Sequence, residues 1–245
     1  MNDAFLQASG ISVRRNGRLT LQPTDFAVRA GETVGIYGPN GAGKSTLLQA
    51  LAGLLRLSSG AITLGGRVLG QDLTSFDYHR RIAAVFQEPL LLRGTVSYNV
   101  SLGLALRGIG KAERVARVRP VLEQLKIDHL ADRSIGMISG GEAQRTSLAR
   151  ALVLDPEVLF LDEPFAALDQ PTRRRLVREF AELLRGRRMA TVFVSHDFAE
   201  AAALCSRCAI LDAGVVLQDE PPARVLEHPR TSRVAEIVGI DGFSG

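Results

Sequence analysis

Nine consecutive residues, GPNGAGKST, have the composition of a phosphate-binding loop. They fit the pattern G-x-x-x-x-G-K-[ST], in which glycines let backbone N–H groups approach an anion and the following helix directs its positive end at it. Lys44 supplies a point charge for the terminal phosphates, and the Ser45 hydroxyl suits Mg²⁺, which prefers oxygen ligands. The alternative is a glycine-rich turn that only caps a helix. The residues predicted to bind nucleotide are Gly38, Pro39, Asn40, Gly41, Ala42, Gly43, Lys44, Ser45 and Thr46.

A pair of carboxylates follows an apolar run later in the chain. The residues VLFLD, 158–162, predict a buried strand that ends in Asp162 and is followed by Glu163. Open α/β sheets bind ligands at the carboxyl ends of their strands, so Asp162 is placed to face Mg²⁺ and Glu163 to polarise an attacking water. Such a pair also occurs in ordinary turns at strand ends. Beside a complete phosphate-binding loop, the catalytic interpretation is favoured.

Two adjacent glycines precede the strongly helical stretch ISGGEAQRTSLARAL, residues 138–152. Ser139 and Glu142 fit a capping box, which satisfies free N–H groups at the start of a helix. Capping does not require Gly140 and Gly141, whose N–H groups offer a second phosphate-binding helix end. One nucleotide does not need two such ends in one chain. The second end therefore suggests a nucleotide that is bound by a partner chain.

Strand and helix patterns alternate along the chain and position these motifs. Nearly continuous apolar strands predict an α/β fold with a mostly parallel sheet covered on both faces. A mostly helical, more charged section interrupts the pattern from Thr95 to about Leu130. The predicted strands are 5–13, 19–28, 33–37, 81–87, 158–162 and 190–196, with a helix over 44–54 and a hairpin over 208–216 that turns at Ala213-Gly214.

Composition and charge exclude several classes of protein. The chain has 245 residues, 46% of them hydrophobic, and a net charge of +4. It shows no uncharged apolar run of about 18 residues and no secretory signal, so we expect neither a membrane span nor export. The run Arg173-Arg174-Arg175 is interpreted as a solvated helix face rather than a nucleic-acid patch. Cys205 and Cys208 form a CxxC pair without matching ligands, which favours small, partly buried thiols over a metal or redox site.

In this order, the motifs resemble those of the nucleotide-binding subunits of bacterial ABC transporters of the importer type. The resemblance covers nearly the whole chain. It includes Gly38–Thr46 as Walker A, Val158–Glu163 as Walker B and Ile138–Glu142 as the signature. It also includes three single residues in short loops, namely Gln87 in VFQEP, Asp169 in Ala167-Leu168-Asp169 and His196 in VFVSHD.

The resemblance implies a fold and a set of roles. The fold is a P-loop NTPase core with an N-terminal antiparallel β subdomain and an inserted α-helical subdomain. One domain, 1–245, would consist of a core (about 1–87 and 155–245) and a helical subdomain (about 88–154). The cofactors are ATP and Mg²⁺. The implied roles are catalytic for Glu163, His196 and Gln87, metal-binding for Ser45, Gln87 and Asp162, and nucleotide-binding in trans for Ser139, Gly140, Gly141, Glu142 and Asp169.

The implied partners are a second ATPase subunit in a head-to-tail homodimer, transmembrane permease subunits and a periplasmic or extracellular solute-binding protein, without nucleic acid. The chain would lie in the cytoplasm, on the inner face of the cell membrane. Leu90, Leu91 and Leu92 stand where the family docks its permease. Read without the family, Gln87 is an ordinary strand-end amide and His196 an ordinary loop histidine.

Two positions depart from the usual family pattern. Glu142 stands where the signature commonly has glutamine, and the capping box offers its carboxylate a place to turn away from phosphate. Asn16 stands where an aromatic residue usually stacks on adenine, so Arg14, Arg15 or Arg18 is expected there instead.

The sequence around these motifs is similar to that of ATPases of oxyanion importers, of the tungstate or molybdate types, with phosphate and sulfate types as alternatives. Two other functional classes remain open at this point. One is a soluble ABC ATPase that acts on nucleic acid or the ribosome. The other is a nucleotide-binding regulator that does not hydrolyse ATP. The intact Lys44, Glu163 and His196 argue against the regulator.

Overall fold

The structure is a computed structural model, which describes residues 4–240. The strands are β1 (Ala4–Arg15), β2 (Arg18–Arg29), β3 (Thr33–Tyr37), β4 (Ser59–Leu64), β5 (Arg67–Val68), β6 (Ile82–Val85), β7 (Val158–Asp162), β8 (Ala190–Ser195), β9 (Arg207–Asp212) and β10 (Val215–Glu220). The helices are α1 (Lys44–Leu51), α2 (Ser75–Arg81), α3 (Val96–Leu106), α4 (Lys111–Gln124), α5 (Gly140–Leu152), α6 (Gln170–Leu184), α7 (Phe198–Leu204), α8 (Pro222–Glu227) and α9 (Ser232–Ile237).

The strands form two sheets. The larger has six strands in the order β10-β9-β3-β8-β7-β6, and the smaller has four in the order β2-β1-β4-β5. Pairing is parallel from β9 through β3, β8 and β7 to β6, while β10 runs antiparallel to β9. The smaller sheet is antiparallel throughout. The predicted α/β fold class, with its mostly parallel sheet and N-terminal antiparallel sheet, is confirmed.

The central strands are apolar on both faces because both faces of the parallel sheet are covered. Along β7, Val158 and Phe160 pack in a core with α1 and the four-stranded sheet. Leu159 and Leu161, which alternate with them, pack in a second core with residues of α3, α4, α5 and α6. Each core therefore fixes one face of the strand that ends in Asp162.

Two tight turns contain consecutive left-handed residues, and the second of each pair is a glycine. Asn16 and Gly17 join β1 to β2 with φ of 50° and 77°, and Ala213 and Gly214 join β9 to β10 with φ of 47° and 79°. Positive φ at both central residues is the geometry of a type I′ hairpin turn. The predicted hairpin at Ala213-Gly214 is thus present.

Several element boundaries differ from the sequence prediction. The helix expected over 44–54 ends at Leu51, because Gly53 adopts a φ of 69° and the N–H of Leu54 bonds to the carbonyl of Gln49 at 2.9 Å, closing a Schellman motif. The strand expected over 81–87 is shorter, since α2 runs up to Arg81. The elements β4, β5 and α2 were not predicted.

Both cysteines are buried and free, more deeply than the sequence suggested. Burial raises the pKa of the Cys205 thiol and raises that of Cys208 to about 12. A Cβ atom added at Gly35 would lie 3.1 Å from the Cys205 sulfur and 3.3 Å from the Cys208 sulfur. The pair therefore fills the space beside a glycine in β3, which is a packing role.

None of the helices among residues 4–240 combines the length and the apolar character needed to cross a membrane.

The packing at Gly35 predicts a coupled effect on stability. Gly35→Ala should lower the free energy of unfolding by about 1–3 kcal/mol, because the added methyl overpacks a filled core. Urea denaturation measures this change. Adding Cys205→Ala removes the nearest sulfur and should recover part of the loss, whereas independent, additive costs would contradict the packing explanation.

Candidate active site

The phosphate-binding loop connects the end of β3 to the start of α1. Gly43 precedes the helix with a φ of 102°, which a residue with a side chain rarely adopts. At Gly38, an added Cβ would collide with the carbonyl oxygen of Leu211 in β9. The glycines of this loop are therefore required by its backbone path and by the neighbouring strand.

Lys44 lies inside the loop and is 5% exposed. Its Nζ atom donates hydrogen bonds to the carbonyls of Gly38 at 2.8 Å and Pro39 at 3.1 Å, and lies 4.0 Å from Glu163 Oε1. Burial lowers the pKa of Lys44, while Glu163 and Asp162 act in the opposite direction. The cation is thus held at the loop by the groups that surround it.

Ser45 and Asp162 meet across the sheet edge. The Ser45 hydroxyl, in the first turn of α1, donates to Asp162 Oδ1 at 3.0 Å. Burial raises the pKa of Asp162, and the hydrogen bond from Ser45 opposes the shift. Two adjacent hard oxygen atoms of this kind fit the ligand preference of Mg²⁺.

Gln87 lies at the same edge but is exposed. It follows β6, which pairs with β7 in the register Val85 to Leu161, one residue before Asp162. Among the described residues, no hydrogen bond joins its side chain to Ser45 or Asp162.

Glu163 has an unusual backbone conformation for a carboxylate residue, with a φ of 47°. Its N–H bonds to the carbonyl of Val194 in β8 at 3.0 Å, and its Oε2 lies 2.9 Å from His196 Nδ1. Strained left-handed residues of this kind cluster at functional sites. The turn directs Glu163 toward His196 and Lys44, an orientation that the sequence did not reveal.

Lys44, Ser45 and Glu163 border a cleft of about 500 Å³ between the phosphate-binding loop and the β1–β2 hairpin. Arg15 and Arg18 line it, whereas Arg14 bonds to the carbonyl of Gly17 within the turn. Arg15 also donates to Gln49 on α1 at 2.9 Å. Asn16 occupies a left-handed turn position, a conformation in which asparagine is enriched.

The signature residues form the capping box predicted for them. Glu142 Oε2 accepts the Ser139 N–H at 2.7 Å and the Ser139 hydroxyl at 2.8 Å, and both bonds lower the pKa of Glu142. Asp169 caps α6 by accepting the N–H of Thr172 at 3.0 Å. Within residues 4–240, no hydrogen bond or ion pair joins Ser139, Glu142 or Asp169 to the side chains around Lys44.

The sequence did not reveal two groups of residues that hold loops of the site and of the segment 89–92 in place. Arg150 of α5 donates to the carbonyls of Pro89 and Leu90 at 2.8 and 2.9 Å, and Asn99 of α3 bonds to both backbone groups of Leu92. These bonds hold the segment 89–92 against the helices. The only sign of these bonds in the sequence was Asn99, about one turn into the section that was predicted to be mostly helical.

Arg173 forms the second group and corrects an expectation. It was interpreted as part of a solvated arginine run, but its side chain is only 16% exposed and turns toward Glu200. Arg174 and Arg175 are exposed as expected.

Comparisons with known proteins find a matching family and similar relatives. The ABC transporter family pattern matches residues 21–166. The chain is 39% identical over 243 residues to the Fe(3+) ions import ATP-binding protein FbpC of Streptomyces avermitilis, which covers 98% of this chain and 69% of that protein. It is 38% identical over 232 residues to a probable sulfate/thiosulfate import ATP-binding protein, CysA, of Chlorella vulgaris, which covers 94% and 97%.

A solved structure also matches across almost the whole fold. It is cbiO1 from Clostridium perfringens, part of the ABC transporter complex cbiONQ, with a TM-score of 0.84, 27% identity and coverage of 98% of this chain and 96% of that one. The family pattern spans the phosphate-binding loop, the signature and both Walker B carboxylates, the residues whose geometry is described above. The chain therefore belongs to the ABC transporter family, as an ATP-binding subunit that hydrolyses ATP.

Proposed function

We propose that the chain powers solute import by hydrolysing ATP with Mg²⁺ at the edge of its parallel sheet. The observation that carries the proposal is the cluster of Lys44, Ser45, Asp162, Glu163 and His196, linked by contacts of 2.9 to 4.0 Å. In it Lys44 binds the β- and γ-phosphates, Glu163 accepts a proton from the attacking water and His196 orients Glu163 and contacts the γ-phosphate.

Ser45 and Asp162 would hold Mg²⁺, with Gln87 approaching from β6. When bound, the ion neutralises charge that develops on the transferred phosphate. The exposed position of Gln87 gives its side chain room to reach the nucleotide and the ion.

The two phosphate-binding helix ends support a head-to-tail homodimer. The starts of α1 and α5 each present glycines and free N–H groups, and the described contacts do not join Ser139 or Glu142 to the Lys44 cluster. We propose that Ser139, Gly140, Gly141, Glu142 and Asp169 act on the nucleotide bound by the second subunit. ATP would then hold two subunits together at their phosphates.

A transmembrane permease would dock on the segment 89–92, in the part of the chain (88–154) that we propose as a helical subdomain. Leu90 is 59% and Leu92 50% exposed, although both leucines sit in a segment whose backbone is fixed by Arg150 and Asn99. Exposed apolar side chains on a fixed backbone are typical of an interaction site. We propose that the chain acts in the cytoplasm, at the inner face of the membrane, with the solute-binding protein on the other side.

The cargo is proposed only as an imported solute. The two curated relatives described above are named for different solutes, iron(III) and sulfate or thiosulfate. Because the described site contains only groups that suit ATP, we propose that other subunits select the solute. Tungstate or molybdate as the cargo remains a prediction from the sequence around the motifs.

Replacing the proposed base tests the mechanism. Glu163→Gln keeps the shape of the side chain but cannot accept a proton, so ATP hydrolysis should fall by about 10²–10⁴ while ATP binding is retained. With ATP and Mg²⁺, this variant should elute as a dimer from a sizing column.

Two controls make that experiment decisive. Glu182→Gln, on the exposed side of α6, should hydrolyse ATP at the normal rate. The double variant Lys44→Ala/Glu163→Gln should remain monomeric with ATP, since it lacks the phosphate-binding cation. Normal turnover of Glu163→Gln would overturn its role as a base.

The signature carboxylate provides a second test. Glu142→Gln should leave turnover within about fivefold of normal, because an amide oxygen can still accept the hydrogen bonds from Ser139. A fivefold change in rate corresponds to about 1 kcal/mol, the most that one exposed ion pair usually contributes. Glu142→Leu, which loses those bonds, should lower turnover further. A collapse in the Gln variant, measured by steady-state ATPase assay, would show that Glu142 takes part in the chemistry.

The docking surface predicts a split between two activities. Leu90→Asp/Leu92→Asp should leave the ATPase of the purified chain intact, since neither side chain supports the core. It should abolish recovery of the tagged chain with the membranes of its native host, because carboxylates would be buried unpaired in the interface. Leu226→Asp on α8, where the leucine is 44% exposed, is the matched control and should behave as the unmodified chain. Retained membrane recovery of the double variant would mean that the permease docks elsewhere.

A further inference from the structure

Arg173, in the first turn of α6, binds the loop that precedes its own helix. Its Nε donates to the carbonyl of Phe165 at 3.2 Å, and its Nη2 donates to those of Ala166 at 2.7 Å and Leu168 at 3.3 Å. This loop follows Glu163 and leads to Asp169. One planar guanidinium therefore binds three backbone carbonyls of the loop between two proposed site residues, Glu163 and Asp169.

Glu200, on α7, meets the same arginine from the other side. Its side chain is 10% exposed, and its Oε1 lies 3.6 Å from Arg173 Nε without a hydrogen bond of its own in the described structure. Its Oε2 accepts the Ser195 hydroxyl at 2.6 Å, and Ser195 Oγ in turn accepts the N–H of Asp197 at 3.0 Å. Ser195 and Asp197 flank His196, so Glu200 holds the turn that carries the histidine.

The contacts close a ring. It runs from Glu163 along its loop to Arg173, through Glu200 and Ser195 to His196, and back to Glu163 across the 2.9 Å contact. Neither Arg173 nor Glu200 lines the cleft beside Lys44. A buried ion pair is weak evidence for stability, since apolar residues of similar size often serve as well. What apolar residues cannot do is bind three carbonyls and a hydroxyl at fixed positions.

We propose that Arg173 and Glu200 are positioning residues for ATP hydrolysis, which hold the loop after Glu163 and the turn of His196 at a fixed separation. The proposal rests on the proposed roles of Glu163 and His196. Its consequence is that the pair governs the rate of the chemical step and has little influence on ATP binding. Small displacements of groups that are remote from the reacting atoms can cost about 10²-fold in rate.

Conservative substitutions test this. Arg173→Lys retains the charge, but a single ammonium cannot replace a fork that reaches three carbonyls. Glu200→Gln retains an acceptor for Ser195 and removes the charge that faces Arg173. Each should lower kcat by about 10- to 100-fold and leave KM for ATP and the midpoint of urea denaturation close to normal. Arg175→Lys, on the exposed face of the same helix, is the matched control and should retain normal kcat.

The dependence on Glu163 and His196 is tested by combination. In a His196→Ala background, Arg173→Lys should cause little further loss, because residues that act as a unit are strongly non-additive. Full multiplicative loss would overturn the proposal, as would a raised KM with a lowered denaturation midpoint in both conservative variants. If Arg173→Lys does not fold, the nearly isosteric Glu200→Gln carries the test. Normal turnover of Glu163→Gln would overturn the proposed role of Glu163 as the base. The effect of Arg173→Lys on kcat could still be measured, so the two proposals can fail separately.

Discussion

Parallel pairing between β3, β8 and β7 brings the active-site loops to one edge of the sheet. Tyr37 pairs with Ser195, and Asp162 pairs with Val194, so the three strands end within two residues of one another. The loop that binds phosphate, the turn with Glu163 and the turn with His196 all begin there. The contacts that join Ser45 to Asp162 and Glu163 to His196 depend on this register, because a shift of one residue would send alternate side chains to the opposite face.

The site concentrates buried charge, and its arrangement offsets the cost of burial. Lys44 and Asp162 are 5% and 8% exposed, and burial disfavours the charged form of each. Backbone carbonyls and the Ser45 hydroxyl supply polar partners in place of water. Groups held in this way need little reorganisation when phosphate charge develops, which is the physical basis of electrostatic catalysis. The ring through Arg173 and Glu200 extends the same principle to the surrounding loops.

The helix α5 connects two surfaces that are proposed to contact different partners. It begins at the signature glycines, where Ser139 and Glu142 cap it, and near its end Arg150 binds the carbonyls of Pro89 and Leu90. A helix is a stiff element, so a displacement at one end is transmitted to the other. The proposed contact with a second nucleotide and the proposed contact with a permease therefore share one rigid body.

Features that depend on neighbouring residues along the chain could be predicted from the amino-acid sequence alone. The glycines around Lys44 and Gly214 in the hairpin turn follow from backbone conformations that few residue types allow, and the capping box follows from the spacing of Ser139 and Glu142. The pairing of Glu163 with His196, 33 residues apart, and the inward turn of Arg173 toward Glu200, 27 residues away, depend on the packing of distant segments. A run of three arginines gives no sign of which one is buried, because that depends on how α6 packs against α7. Motifs are visible in sequence when neighbours along the chain impose them, and invisible when the partners meet only through the fold.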